Sequence, residues 1–288
     1  MISFSKLGNY GRLGNQLFQY AYLRGMAQRL NTTFHCPQWD GDRIFDLGDE
    51  ALRAPSATGI TSSFNPHPEV GYTDKALAIS DGTEVEGFFQ SECYYESRDE
   101  VLRWYTFKEE IAASVRARYP LEVCKGAATL SLRIDADYAN TREYFPLYPA
   151  SFYRDALERI GDVSKVIVMS DRPDLAREFF RSLDRRYDLR FVDDLDGPQQ
   201  LFLMTQCKAN VITNSTFAWW GAWLNARPDR TVVCPSEWCR PGVPVGITGI
   251  LCDDWVRVRG TMPLWDHFQV WRLRHPVKTV RRVLSRFS

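Results

Sequence analysis

From residue 126 to residue 235, short apolar runs alternate with helix-length segments, and this rhythm constrains the fold more than any other feature of the chain. The runs at 128–133, 165–169, 189–192, 211–213 and 231–234 have the length and continuous hydrophobicity of strands buried on both faces. Between them, 150–160, 173–183, 199–207 and 216–225 carry helical spacing. Strands that alternate with helices predict a parallel, doubly wound α/β sheet. Such sheets bind ligands at the carboxyl ends of their strands.

The N-terminal part opens in the same way. Residues 2–7 read as a strand, 8–14 supply three glycines, and 16–30 place Leu17, Tyr20, Ala21, Leu23, Ala27 and Leu30 at helical spacing. Residues 31–85 hold Pro37, Pro55, Pro66 and Pro68 and show no period that assigns them. A single helix is predicted over 98–119. The composition shift near 120–126 divides the chain into 1–122, 123–262 and a basic tail, 263–288.

Composition excludes several classes. A net charge of +0 gives no global field for a nucleic-acid partner. The seven cysteines are scattered without a C-x-x-C pair, which speaks against a disulfide framework or a zinc site. None of the four histidines falls in the motifs below, which speaks against a His-based nucleophile or a His-rich metal centre. There is no apolar run of membrane-spanning length and no signal-peptide pattern, so the expected location is cytoplasmic.

The segment Gly8-Asn9-Tyr10-Gly11-Arg12-Leu13-Gly14-Asn15-Gln16 lies between a predicted strand and a helix. Backbone N–H groups at such a helix start form an anion site. The glycines are spaced G-x-x-G-x-x-G, not as in the dinucleotide fingerprint, and no Gly-Lys-Ser/Thr follows as in a phosphate-binding P-loop.

Residues 11–21 (GRLGNQLFQYA) resemble the N-terminal signature of the α-1,2-fucosyltransferases, glycosyltransferase family 11, and more distantly the protein O-fucosyltransferases. The resemblance implies a GT-B-like architecture, with two Rossmann-like domains facing a cleft. It makes Asn15 a candidate for positioning sugar oxygens and puts Arg12 and Gly14 at the donor. Three further blocks follow in family order. Residues 87–95 (GFFQSECYY) are similar to the block that offers Gln90 and Ser91 to the acceptor. Residues 131–138 (SLRIDADY) occupy the place of the family's H-x-R-x-G-D-Y. There Arg133 is the candidate for neutralising the leaving diphosphate, Ser131 replaces the family's His, and Asp135 and Asp137 are candidate bases. Residues 204–224 closely resemble the family's strand and N-S-T-F-S-W-W-G-A-W-L helix, with Asn214, Ser215, Thr216 and Phe217 at the donor. The tryptophans of that helix read as packing between sheet and helix.

In related fucosyltransferases an acid before this strand reads guanine; here Gln200 stands in its place, with Asp171, Asp193 and Asp194 as other acidic candidates. The implied activity is inverting transfer of L-fucose from GDP-β-L-fucose to a sugar hydroxyl in an α-1,2 linkage, on a glycan or lipid-linked glycan, without cofactor or metal. Asp135-Ala136-Asp137 keeps a metal-bridged alternative open through its D-x-D spacing. Two other readings stay open: a transferase of the same fold with another nucleotide-sugar donor, and a non-catalytic sugar-nucleotide-binding relative. In the tail, Val277, Val280, Val283 and Phe287 recur at helical spacing among Lys278, Arg281, Arg282 and Arg286. That pattern suits either an amphipathic helix on the anionic inner face of a membrane or a helix packed on the body.

Overall fold

The structure, a computed structural model, describes residues 1–134, 144–163, 165–181, 183 and 186–260. The predicted tail helix and the candidates Asp135 and Asp137 lie outside the described residues.

Two parallel sheets organise the chain. The first contains β1 (Ile2–Ser3), β2 (Phe34–His35), β3 (Ser62–Phe64) and β4 (Thr83–Val85) in the order β2-β1-β4-β3. Helix α1 (Leu13–Arg29) follows β1, and the short helices α2 (Gly41–Ile44) and α3 (Asp74–Leu77) lie in the connections. A 3-10 turn (Glu92–Tyr94) and helices α4 (Arg98–Trp104), α5 (Glu109–Arg118) and α6 (Leu121–Lys125) lead to the second sheet.

That sheet is built from β5 (Ala127–Leu132), α7 (Ala150–Ile160), β6 (Lys165–Ser170), α8 (Pro173–Phe179), β7 (Asp188–Phe191), α9 (Gly197–Gln206), β8 (Ala209–Val211), α10 (Thr216–Trp223), β9 (Thr231–Pro235) and β10 (Val256–Val258). Its strand order is β7-β6-β5-β8-β9-β10, all parallel. Counted within the sheet this is 3-2-1-4-5-6, the doubly wound order whose switch point lies between β5 and β8. The predicted α/β architecture of two Rossmann-like units therefore holds. Strand β1 falls within the stretch 2–7 read as a strand, whereas β2, β3 and β4 are only two or three residues long, too short for any period to reveal them in the sequence.

The predicted helix over 98–119 is broken. Between α4 and α5 the chain turns extended to pair with residues 44–46: Asp46 N donates to Thr106 O (2.8 Å) and Lys108 N to Ile44 O (3.0 Å). Phe107 packs on Phe45 with ring centroids 4.8 Å apart. Burying these two rings outweighs the modest helix preference of the residues between. Strand β10 was not foreseen in the sequence.

Helix α1 is buried almost all round because it is wedged between the first sheet and α10. Phe18 contacts Trp219 (4.5 Å between centroids) and Trp220 (4.9 Å). Trp219, Trp220 and Trp223 are at most 1% exposed, so they are core residues, as the sequence suggested. Each such ring contributes roughly 2–3 kcal/mol by leaving water. Polar ties reinforce the junction. Val70 N donates to Gly246 O (2.8 Å), Tyr72 N to Thr248 O (2.6 Å), and Arg98 to the carbonyls of Trp223 (2.6 Å) and Asn225 (3.0 Å). Among the described residues no helix is long and apolar enough to cross a membrane.

Candidate active site

The glycine loop is held by side chains that the sequence itself supplies. Gly8 (φ +90°) and Gly11 (φ +100°) occupy the left-handed region that a side chain disfavours. A Cβ on Gly11 would also lie 2.5 Å from Asn15 Nδ2. Buried Gln16 donates its amide to Gly8 O (3.3 Å) and Gly11 O (3.2 Å), and Gln19 donates to Tyr10 O (2.7 Å). These hydrogen bonds fix the loop.

From the second sheet, β5 ends at Leu132 and delivers Arg133, while β8 runs into Asn214 and Ser215. Ser215 caps α10, its hydroxyl accepting from Ala218 N (3.4 Å). These two strands flank the switch point. Helices α1 and α10 start side by side there, and each N-terminus carries roughly half a positive charge. Arg12 to Gly14 from one helix and Ser215 to Phe217 from the other line a single cavity of about 450 Å³.

The same cavity gathers Ser131, Arg133, Asp171 and Gln200. Asp171 is at the end of β6, where its carboxylate accepts from Ile134 N (3.0 Å). Gln200 donates its amide N–H to Leu195 O (2.9 Å), which leaves its amide oxygen as an acceptor. Asp193 and Asp194 are not in the wall: Asp193 pairs with Arg177 (3.0 Å), and Asp194 accepts from Tyr119 OH (2.8 Å).

A second cavity of about 360 Å³ adjoins the first. Asn15 and Gln90 line it and are joined, Gln90 Nε2 donating to Asn15 Oδ1 (3.1 Å). Phe88 lines it as well and stacks on Tyr10 at 4.8 Å. Between Phe88 and Gln90 sits Phe89, with φ +51°, a conformation unusual for an aromatic residue. Its ring, stacked on Tyr22 at 3.7 Å, holds it there. Arg133 and Thr216 line both cavities.

Two expectations need correction. Ser91 does not reach the cleft. It is fully buried, donating its hydroxyl to Gly249 O (2.8 Å) and accepting from Cys93 N (3.1 Å), because the 3-10 turn needs a cap there. Asn214 lines the second cavity and not the first, and its amide nitrogen donates to the carbonyls of Pro146 (3.0 Å) and Trp238 (3.2 Å).

Several wall residues carried no sequence signal: Asp40, Arg43 and Ile44 on the first cavity, Trp238 and Cys239 on the second. Burial pushes the Cys239 thiol up to about 11, so it stays protonated near neutrality. Among the described residues no group of three His, Cys, Asp or Glu side chains could hold a metal ion.

The family description "Glycosyl transferase family 11" matches residues 149–240, the stretch from α7 through the α10 cap to Arg240. Over that stretch the chain resembles glycosyltransferase family 11. It is 28% identical to the O-antigen biosynthesis glycosyltransferase WbnK of Escherichia coli, over 79% of this chain and 92% of that one. It is 23% identical to an alpha-1,2-colitosyltransferase of Escherichia coli, over 79% and 90%. Among solved structures, the chain shares its fold with POFUT1 in complex with GDP-fucose (TM-score 0.53, 13% identity, 81% of this chain and 97% of that chain).

Proposed function

We propose that the enzyme transfers L-fucose from GDP-β-L-fucose to a hydroxyl of a growing surface glycan, with inversion at the anomeric carbon and an α-1,2 linkage. The observation that carries this reading is that Arg133 and Thr216 line both cavities, so the donor and acceptor sides meet at a guanidinium and a helix N-terminus.

In this reading the nucleoside diphosphate occupies the larger cavity and the acceptor sugar the smaller one. The acceptor oxygen attacks C1 of fucose on the face opposite the diphosphate. The C1–O(phosphate) bond breaks, and its electron pair leaves with GDP. Arg133 and the N–H groups at the starts of α1 and α10 compensate the charge that builds on the β-phosphate. Asn15 and Gln90 orient the acceptor, and Phe88 offers an apolar face to a sugar ring. The acceptor proton goes to a base, for which Asp135 and Asp137 are the candidates.

The departure at Gln200 is compatible with guanine. With its N–H committed to Leu195, the amide presents an oxygen, the acceptor that guanine N1–H and N2–H₂ require. Asp171 is a second acceptor in the same wall. Likeness to a protein named colitosyltransferase supports a second reading, in which another deoxy sugar is carried on the nucleotide. The architecture is also compatible with metal-free transfer, since fixed positive groups already surround the expected diphosphate.

Calorimetric titration with GDP, UDP and their sugar conjugates in EDTA tests the donor, and incubation of GDP-fucose with candidate glycans tests transfer. Selective GDP-fucose binding in EDTA supports the proposal. Preference for UDP, or loss of binding in EDTA, would sink it.

A further inference from the structure

We propose that Asp40 and Arg43 form an exchangeable latch at the rim of the larger cavity, and that Arg43 leaves Asp40 to bind the diphosphate of an incoming nucleotide sugar. The proposal rests on the reading of that cavity as the donor site.

Both residues line the cavity from the half opposite Ser131 and Asp171. Arg43 donates to Asp40 Oδ1 at 2.6 Å, with its side chain 80% exposed and that of Asp40 40% exposed. A pair this open to water is weak and gives way to a stronger partner. A diphosphate is such a partner, because it offers a guanidinium two anionic groups in place of one carboxylate.

The turn that carries the pair is anchored. Trp39 stacks on Tyr20 at 4.8 Å inside the core, and Trp39 N donates to Asp42 Oδ2 (2.9 Å). The Asp42 carboxylate is bound by Arg53 at 2.5 and 3.1 Å, and Lys108 holds the carbonyls of Ile44 (3.0 Å) and Asp42 (2.9 Å). Asp40 N donates to Gln16 Oε1 (3.2 Å), the same Gln16 that fixes the glycine loop. On this rigid turn the ends of Asp40 and Arg43 are the parts left free to move. The backbone stays in register with the loop that is expected to cradle the phosphates.

The two partners then have opposite effects on affinity. Losing Arg43 removes a ligand for the diphosphate, whereas losing the Asp40 charge removes the competitor for Arg43. The test is calorimetric titration of the full chain and its Arg43→Gln and Asp40→Asn variants with GDP and with guanosine, with thermal unfolding as a control for folding. We expect Arg43→Gln to weaken GDP binding about tenfold and Asp40→Asn to tighten it about threefold. The gain from Asp40→Asn should vanish in the double variant, and guanosine binding should be the same in all. Unchanged GDP affinity in Arg43→Gln would reduce the pair to a solvated surface ion pair and overturn the latch. Weaker GDP binding in Asp40→Asn would overturn it too, by making Asp40 itself a ligand contact. Wild-type protein that binds no GDP at all overturns the donor-site reading and the latch together, which separates that failure from the other two.

Discussion

Gly14 and Thr216 are more than two hundred positions apart in the chain, yet they touch at the starts of α1 and α10. A Cβ placed on Gly14 would fall 2.6 Å from the carbonyl carbon of Thr216 and 2.7 Å from its Oγ1. No side chain larger than hydrogen fits, so this glycine sets how closely the two helix starts approach. That approach brings two partial positive charges to bear on one cavity.

Gly14→Ala is therefore expected to force the helix starts apart. Overpacking of this kind costs about 1–3 kcal/mol. The expected result is a lowered melting temperature and GDP affinity reduced at least tenfold in the folded fraction. Thermal unfolding and calorimetry measure the two effects, and wild-type behaviour in both would show that the contact has no role.

Arg133 lines both cavities at the carboxyl end of β5, where it is proposed to act on the leaving diphosphate. Arg133→Ala should lower kcat by about 10²–10³, the loss seen when a preorganised donor is removed. Arg133→Lys should recover little of this, since an ammonium lacks the planar fork of donors. Steady-state kinetics with GDP-fucose check it, and a change confined to the acceptor KM would argue against the proposed role.

Asn15 and Gln90 are joined by a hydrogen bond on the wall of the smaller cavity. Replacing either with Ala should raise the acceptor KM and leave the Kd for GDP near wild type. The two substitutions should be coupled by about 1 kcal/mol in a double-mutant cycle. Additive effects would mean that they position the acceptor independently.

Alkaline stability should reflect the buried thiols. Burial raises Cys239 to about 11 and Cys36 and Cys234 to about 12, against an ordinary thiol value near 9. Above pH 9 the unfolded chain gives up these protons while the folded chain keeps them, so the stability that is intact below 9 falls as pH rises toward 12. Denaturant unfolding at pH 8 and pH 10.5 should show the drop, and Cys239→Ala should make it shallower. A stability profile that stays flat across this range in the wild type would contradict it.

Much of this protein was written locally in its sequence. The strand–helix alternation after residue 126 dictated a doubly wound parallel sheet, because apolar periods of two and of 3.6 residues are set by near neighbours. The glycine loop before α1 and the Asn214-Ser215-Thr216 start of α10 were legible for the same reason, since caps and turns depend on adjacent residues. Their resemblance to family 11 motifs pointed to the chemistry.

What tertiary structure decided was adjacency across the chain. Asn15 meets Gln90, Arg133 meets the wall shared with Thr216, and Asp40 with Arg43 faces the end of β6. No local pattern encodes such meetings. The same holds where packing overrode local preference: Phe45 drew Phe107 out of a helix, and the 3-10 turn took Ser91 away from the cleft as its cap. Propensity acts through neighbours a few residues apart, whereas a binding site is assembled by burial and close contact between segments that meet only when the two sheets come together.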